Sequence, residues 1–173
     1  MRGKKGIARR HEGKVHLSQD EAKGQREATA MLPVGASAPL FTAESTCGEV
    51  RLADYIGKKN VVLIFYPRDH TPVCTKQLCA VQADIDQFER SDTAVFGVNP
   101  GSLETHQGFS AQYHFSFPLI ADREGAIRKR YAVPKMLGLI AQQRIVYVID
   151  KAGKIAFARR GVPTTEEMLG VLQ

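Results

Sequence analysis

An unbroken apolar run, Val61-Val62-Leu63-Ile64-Phe65-Tyr66, leads into a short polar turn and then into a long segment with helical periodicity. A continuous run of branched and aromatic residues is the pattern of a strand covered on both faces, and such strands sit in sheets flanked by helices. After the turn, Leu78, Val81, Ile85 and Phe88 recur at steps of three and four, which puts them on one face of a helix running to about Arg90. A second apolar run, Thr93 to Val98, follows. A strand, a helix and a strand in that order imply parallel strands joined by a right-handed crossover. Residues 61–98 alone therefore place the chain in the α/β class.

The start of that helix carries a candidate for chemistry. Thr71 suits the N-cap and Pro72 the first helical position. Cys74 is then the third helical residue, at the positive end of the helix dipole and among backbone N–H groups that no helical carbonyl satisfies. A free cysteine has a pKa of about 8.5, and a helix N-terminus or a nearby cation lowers it to roughly 3.5–7.5. The thiolate is the nucleophilic form, so Cys74 is a candidate nucleophile. Cys74 also begins the core-facing stripe. Cys79, five residues on, falls on a flank shared with Gln82 and Asp86, away from the apolar face. Two cysteines at that spacing cannot bond while the helix is intact, because their Cβ vectors diverge.

The rest of the chain extends the pattern. Pro39–Thr42 and Val50–Leu52, joined by the turn Ser45-Thr46-Cys47-Gly48, predict a small N-terminal hairpin, with one helical turn from Ala53 to Ile56. Ser102–Tyr113 and Glu124–Tyr131 read as helices. Phe117–Ile120 reads as a short strand, and Pro118 puts it at an edge. Arg144–Ile149 and Lys154–Arg159 form a hairpin about Asp150-Lys151-Ala152-Gly153. Thr164 or Thr165 caps a C-terminal helix whose first turn carries Glu166 and Glu167. A β-α-β half followed by a β-β-α half is the thioredoxin-like layout: a central mixed sheet flanked by helices, here with an N-terminal hairpin.

Charge separates a tail from this unit. The chain of 173 residues has a net charge of +6, and residues 1–30 hold eight Lys/Arg against four Asp/Glu, leaving +2 for the rest. Residues 1–31 have few large apolar side chains and read as a basic, disordered tail, with one folded domain over residues 32–173. No run approaches the roughly 18 apolar residues of a membrane span, and the basic start is not followed by a signal-peptide core. Three cysteines do not make a disulfide framework; they suit a reducing compartment, so a cytoplasmic location is expected.

Pro67, Thr71 and Cys74 match the P-x-x-x-T-x-x-C signature of the peroxiredoxins. The string Asp69-His70-Thr71-Pro72-Val73-Cys74-Thr75, with Cys79 beyond it, resembles the bacterioferritin comigratory protein or peroxiredoxin Q branch, over roughly residues 33–173. The resemblance implies a thiol peroxidase acting on hydrogen peroxide and organic hydroperoxides. Cys74 would be the peroxidatic cysteine and pass through a sulfenic acid. Thr71 would bond the thiolate and the peroxide, Pro67 would shield the site, and Arg144 would stabilise negative charge beside the sulfur. The N–H groups of Val73 and Cys74 would donate to the peroxide. Cys79 would be the resolving cysteine, giving an intrachain disulfide that a thioredoxin-type dithiol reduces. That link requires the first helical turns to unwind. No metal and no organic cofactor is implied, and a monomer or weak homodimer is expected. The chain departs from many relatives at Val73, where glycine is frequent, and at Gln82, where arginine is frequent.

Other residues are read as bystanders: Cys47 in its turn, His70 in the loop, and His106 and His114 as solvated helix residues. Three rival readings are kept. One is a redox-sensing binding protein whose basic tail holds nucleic acid. Another is a zinc site of Cys74, Cys79 and His70, for which the spacing is poor. The third, a thioredoxin-type oxidoreductase, lacks the C-x-x-C spacing.

Overall fold

The computed structural model describes residues 30–136 and 141–173, so the basic tail, except for Ala30 and Met31, and the apolar stretch 137–140 lie outside the described residues. Strands β1 (Thr42–Ser45) and β2 (Gly48–Arg51) form the expected hairpin, with β1 later in the chain and β2 starting earlier than read from the sequence, so the turn between them is tighter, and a 3₁₀ turn follows over Leu52–Asp54. Then come β3 (Asn60–Phe65), α1 (Pro72–Ala83), α2 (Ile85–Arg90), β4 (Thr93–Asn99), α3 (Leu103–Tyr113), β5 (Leu119–Ala121), α4 (Ala126–Arg130), β6 (Ile145–Ile149), β7 (Ile155–Arg160) and α5 (Thr165–Leu169).

One seven-stranded sheet runs in the order β2-β1-β5-β4-β3-β6-β7. The β3–β4 and β4–β5 pairs are parallel; β6 lies antiparallel to β3, and β7 antiparallel to β6. The mixed thioredoxin-like sheet is thus the one expected. Alternation along β3 divides the core in two. Val61, Leu63 and Phe65 face one apolar cluster; Val62, Ile64 and Tyr66 face the other, which also holds Cys74, Leu78, Val81 and Phe88. Burial on both sides is why the run is apolar without interruption. Gly97 on β4 makes room on the second side: a Cβ there would meet Leu119 Cδ2 at 2.6 Å and Tyr66 Cε1 at 3.1 Å. Gly153 closes the β6–β7 hairpin with φ 76, a conformation glycine adopts without steric cost.

Two expectations are corrected. The long helix is two, broken at Asp84, whose φ of −100 and ψ of 9 are not helical. The apolar stripe passes through the break unchanged, because one irregular residue shifts the phase by little. Asp84 accepts a bond from Thr165 Oγ1 at 2.6 Å, so the C-terminal helix docks at the break. Pro118 does not mark an edge either, since β5 lies between β4 and β1. The proline stands just before the strand, and its carbonyl accepts from Gly97 N–H at 3.1 Å. Proline lacks only the donor, so its acceptor can still serve an interior position.

Candidate active site

Strand β3 ends at Phe65, and Tyr66 to Thr71 carry the chain across the sheet end into α1. Within this loop His70 takes a left-handed conformation, φ 58. Thr71 is extended (φ −85, ψ 147) and Pro72 opens the helix, as read from the sequence. The expected side-chain cap is not formed. The Thr71 hydroxyl donates instead to the Arg68 carbonyl at 3.1 Å, so the loop, not the helix, sets its rotamer. A hydroxyl donating in this way keeps acceptor lone pairs for an incoming O–H. The first helical bond runs from Thr75 N–H to the Thr71 carbonyl at 2.9 Å. The N–H groups of Val73 and Cys74 lie ahead of it, where helix starts leave donors for other partners.

Cys74 is 1% exposed, at the edge of the second cluster. Arg144, half-buried just before β6, donates from Nη2 to Cys74 Sγ at 3.1 Å and from Nη1 to Gln77 Oε1. Cys74 and Gln77 are one helical turn apart, so a single guanidinium fork spans both. Sequence reasoning missed Gln77. Its signal was a polar residue beside Leu78 on an otherwise apolar stripe, and it is 4% exposed. A fixed positive charge at contact distance, together with the helix start, stabilises negative charge on the sulfur.

Of the remaining expected residues, Pro67 is half-buried in the loop and Val73 is 58% exposed at the mouth. Cys79 is a free thiol, half-buried against the same cluster as Cys74. Its flank was expected to be polar, away from the apolar stripe. On that flank Gln82 is tied to the segment before β5: it donates to Ser116 Oγ at 3.1 Å and accepts from Ser116 N–H at 2.7 Å. Cys47 is exposed in the β1–β2 turn. The exposed His70 ring lies 4.8 Å from the ring of Phe109.

His106 overturns its expectation. It is fully buried, with Nδ1 2.5 Å from Asp69 Oδ2 and Nε2 3.3 Å from the Asn99 carbonyl. A ring N–H that finds one of these oxygens offsets part of the desolvation that would otherwise keep an imidazole at the surface. His114 is exposed at the end of α3, as expected. Among the described residues no group of three or more His, Cys, Asp or Glu is placed to hold a metal ion, and no helix is long and apolar enough to cross a membrane.

Residues 34–158 match the model of the AhpC/TSA family. The chain is 36% identical over 127 residues to a chloroplastic peroxiredoxin Q of Sedum lineare, covering 73% of this chain and 68% of that one. It is 36% identical over 136 residues to alkyl hydroperoxide reductase E of Mycobacterium bovis, covering 77% and 88%. Among solved structures, a mutant PrxQ of Xylella fastidiosa superposes with a TM-score of 0.74 at 25% identity, over 82% of this chain and 94% of that one.

Proposed function

The chain belongs to the AhpC/TSA family as a peroxiredoxin, a thiol-dependent peroxidase, and from that premise we propose that Cys74 is its peroxidatic cysteine and Cys79 its resolving cysteine. The observation that carries this reading is the Arg144 guanidinium at 3.1 Å from Cys74 Sγ, at the start of a helix.

The Cys74 thiolate attacks one oxygen of a hydroperoxide, and the S–O bond forms as the O–O bond breaks. Sulfur is oxidised to a sulfenic acid and the distal oxygen leaves as alcohol or water after taking a proton. Arg144 faces the negative charge that moves from sulfur to the leaving oxygen. Thr71 accepts from the peroxide O–H, the N–H groups of Val73 and Cys74 donate to its oxygens, and Pro67 limits water. Gln77 holds the guanidinium in place through Oε1. The first turns of α1 then unwind. The Cys79 thiol displaces hydroxide from the sulfenic sulfur, giving an intrachain disulfide and water. A thioredoxin-type dithiol restores both thiols by exchange.

The substrates on this reading are hydrogen peroxide and organic hydroperoxides, and the setting is a reducing cytoplasm. The catalytic unit is residues 32–173. Support for its start comes from Leu32, which packs against the first cluster and whose N–H donates to the Tyr147 hydroxyl at 3.1 Å.

The test is stopped-flow mixing of reduced protein with hydrogen peroxide, followed by peptide mapping without reductant. Rapid oxidation ending in a Cys74–Cys79 link is expected. Slow oxidation, or a bond through Cys47, would overturn the assignment. Cys74→Ser should abolish peroxide reduction.

A further inference from the structure

Beside the thiol site lies a closed ring of buried hydrogen bonds that the chemistry above does not use. The Tyr66 hydroxyl donates to Asp69 Oδ1 at 2.7 Å, and Asp69 Oδ2 lies 2.5 Å from His106 Nδ1. His106 Nε2 lies 3.3 Å from the Asn99 carbonyl, and Asn99 Nδ2 donates to the Tyr66 carbonyl at 2.8 Å. All four residues are buried, with Asp69 7% and His106 0% exposed. Burial, and next the charge of Asp69, holds the Tyr66 phenol well above the ordinary tyrosine range, so it remains a donor. Gly101 fits over the ring: its N–H donates to Asn99 Oδ1 at 2.8 Å, and a Cβ on it would meet His106 Cε1 at 2.9 Å.

Asp69 is the middle residue of the loop from Pro67 to Thr71, and both its carboxylate oxygens are bound. The partners stand on parts that need not move for Cys74 to reach Cys79: the end of β3, the end of β4, and α3. We propose that the Asp69–His106 pair is a latch that holds the loop in its peroxide-reactive form, so that its strength sets the balance between oxidation of Cys74 and closure of the Cys74–Cys79 bond. This inference rests on the roles proposed for the two cysteines. With the latch closed, Pro67, Thr71 and the first turn of α1 keep their positions around the sulfur, which favours attack on peroxide. With it open, local unwinding at the loop and helix start becomes more populated, and that is the state in which the two sulfurs meet. Asp69 and His106 are thus positioning residues. Loss of the pair moves the two steps in opposite directions, which loss of fold does not do.

The experiment uses the full reduced chain and measures both steps: Cys74 oxidation by hydrogen peroxide in stopped flow, and appearance of the disulfide by quenched flow with peptide mapping. The double variant Asp69→Asn/His106→Leu leaves no unpaired buried charge. Its oxidation should slow by about tenfold, as for a misplacement near 1 Å or less, while disulfide closure speeds up severalfold. His106→Gln retains a donor toward Asp69 and should restore both steps most of the way. Should circular dichroism show the double variant unfolded, Asp69→Asn and His106→Gln alone carry the test, with smaller shifts of the same opposite signs. Both steps slowing together, or neither changing in a folded variant, would overturn the latch while leaving the cysteine roles intact. A native chain that oxidises slowly, or never links Cys74 to Cys79, would sink the cysteine roles and the latch together.

Discussion

Arg144 reaches Cys74 with one guanidinium nitrogen and Gln77 with the other, so its orientation depends on an amide that never meets the sulfur. An unpaired guanidinium still attracts negative charge, but it spreads over several rotamers, and only some bring Nη2 to 3.1 Å from Sγ. Gln77→Leu keeps the volume and removes the acceptor. We expect the rate constant for peroxide attack to fall by about tenfold, the usual scale for losing a supporting bond behind a functional group, with thiol content and fold unchanged; stopped-flow oxidation and thiol titration check both. Arg144→Lys keeps the charge and loses the fork, so its rate should fall below that of Gln77→Leu. A lysine variant at the native rate would show that charge alone suffices. The residues this experiment compares differ in how visible they were. Cys74, Thr71 and Pro67 could be singled out because motif spacing and element ends are local properties of a sequence, and Arg144 only through the family resemblance. Gln77 and the Asp69–His106 pair could not, because each depends on a partner brought from far along the chain: 67 positions for Gln77 and Arg144, 37 for Asp69 and His106. A histidine on a polar helix face gives no sign that a carboxylate will bury it.

The strands and helices around the site were legible wherever hydrophobic periodicity was uninterrupted, and misread where a single residue decided. Asp84 breaks the long helix with no proline or glycine to announce it, and the stripe of Leu78, Val81, Ile85 and Phe88 persists across the break. Pro118 misled because only its missing donor was considered, not its serviceable carbonyl. Element packing carries two predictions. Gly97→Ala would place a Cβ 2.6 Å from Leu119 Cδ2 and 3.1 Å from Tyr66 Cε1. Both neighbours are fully buried, so the clash should cost about 1–3 kcal/mol, the usual range for overpacking a core, read from chemical denaturation. Thr164 caps α5 reciprocally: its hydroxyl accepts from Glu167 N–H at 3.2 Å, and Glu167 accepts from Thr164 N–H at 2.7 Å. Thr164→Ala should lower stability by about 1 kcal/mol without changing the peroxide reaction, since this helix does not carry the site.

At the scale of the whole molecule, the core contains phenols that must stay protonated. Burial raises Tyr66, Tyr131 and Tyr147 above the ordinary value of 10.0, and the charge of Asp69 adds to the effect at Tyr66. Their hydroxyls bond inside the protein: Tyr66 to Asp69, Tyr131 to the Pro39 carbonyl at 2.9 Å, and Tyr147 to the Tyr131 carbonyl at 2.7 Å. Each therefore holds its proton more tightly folded than unfolded. The stability this provides is complete below pH 10, where both states are protonated. It is lost as pH rises from 10 toward the folded values, because only the unfolded chain releases protons there. Three such groups acting together make alkaline unfolding steep. With no tryptophan in the chain, absorbance near 295 nm reports phenolate without interference. In a pH titration at low salt, the main phenolate step should lie above pH 10 and coincide with loss of the far-ultraviolet circular dichroism signal. Tyr131→Phe should move that step to higher pH, since it removes one group whose ionisation drives unfolding, although the lost bond to Pro39 makes the variant less stable near neutrality. Smooth ionisation of all five tyrosines near pH 10 with the dichroism intact would show that these phenols are not held by the fold.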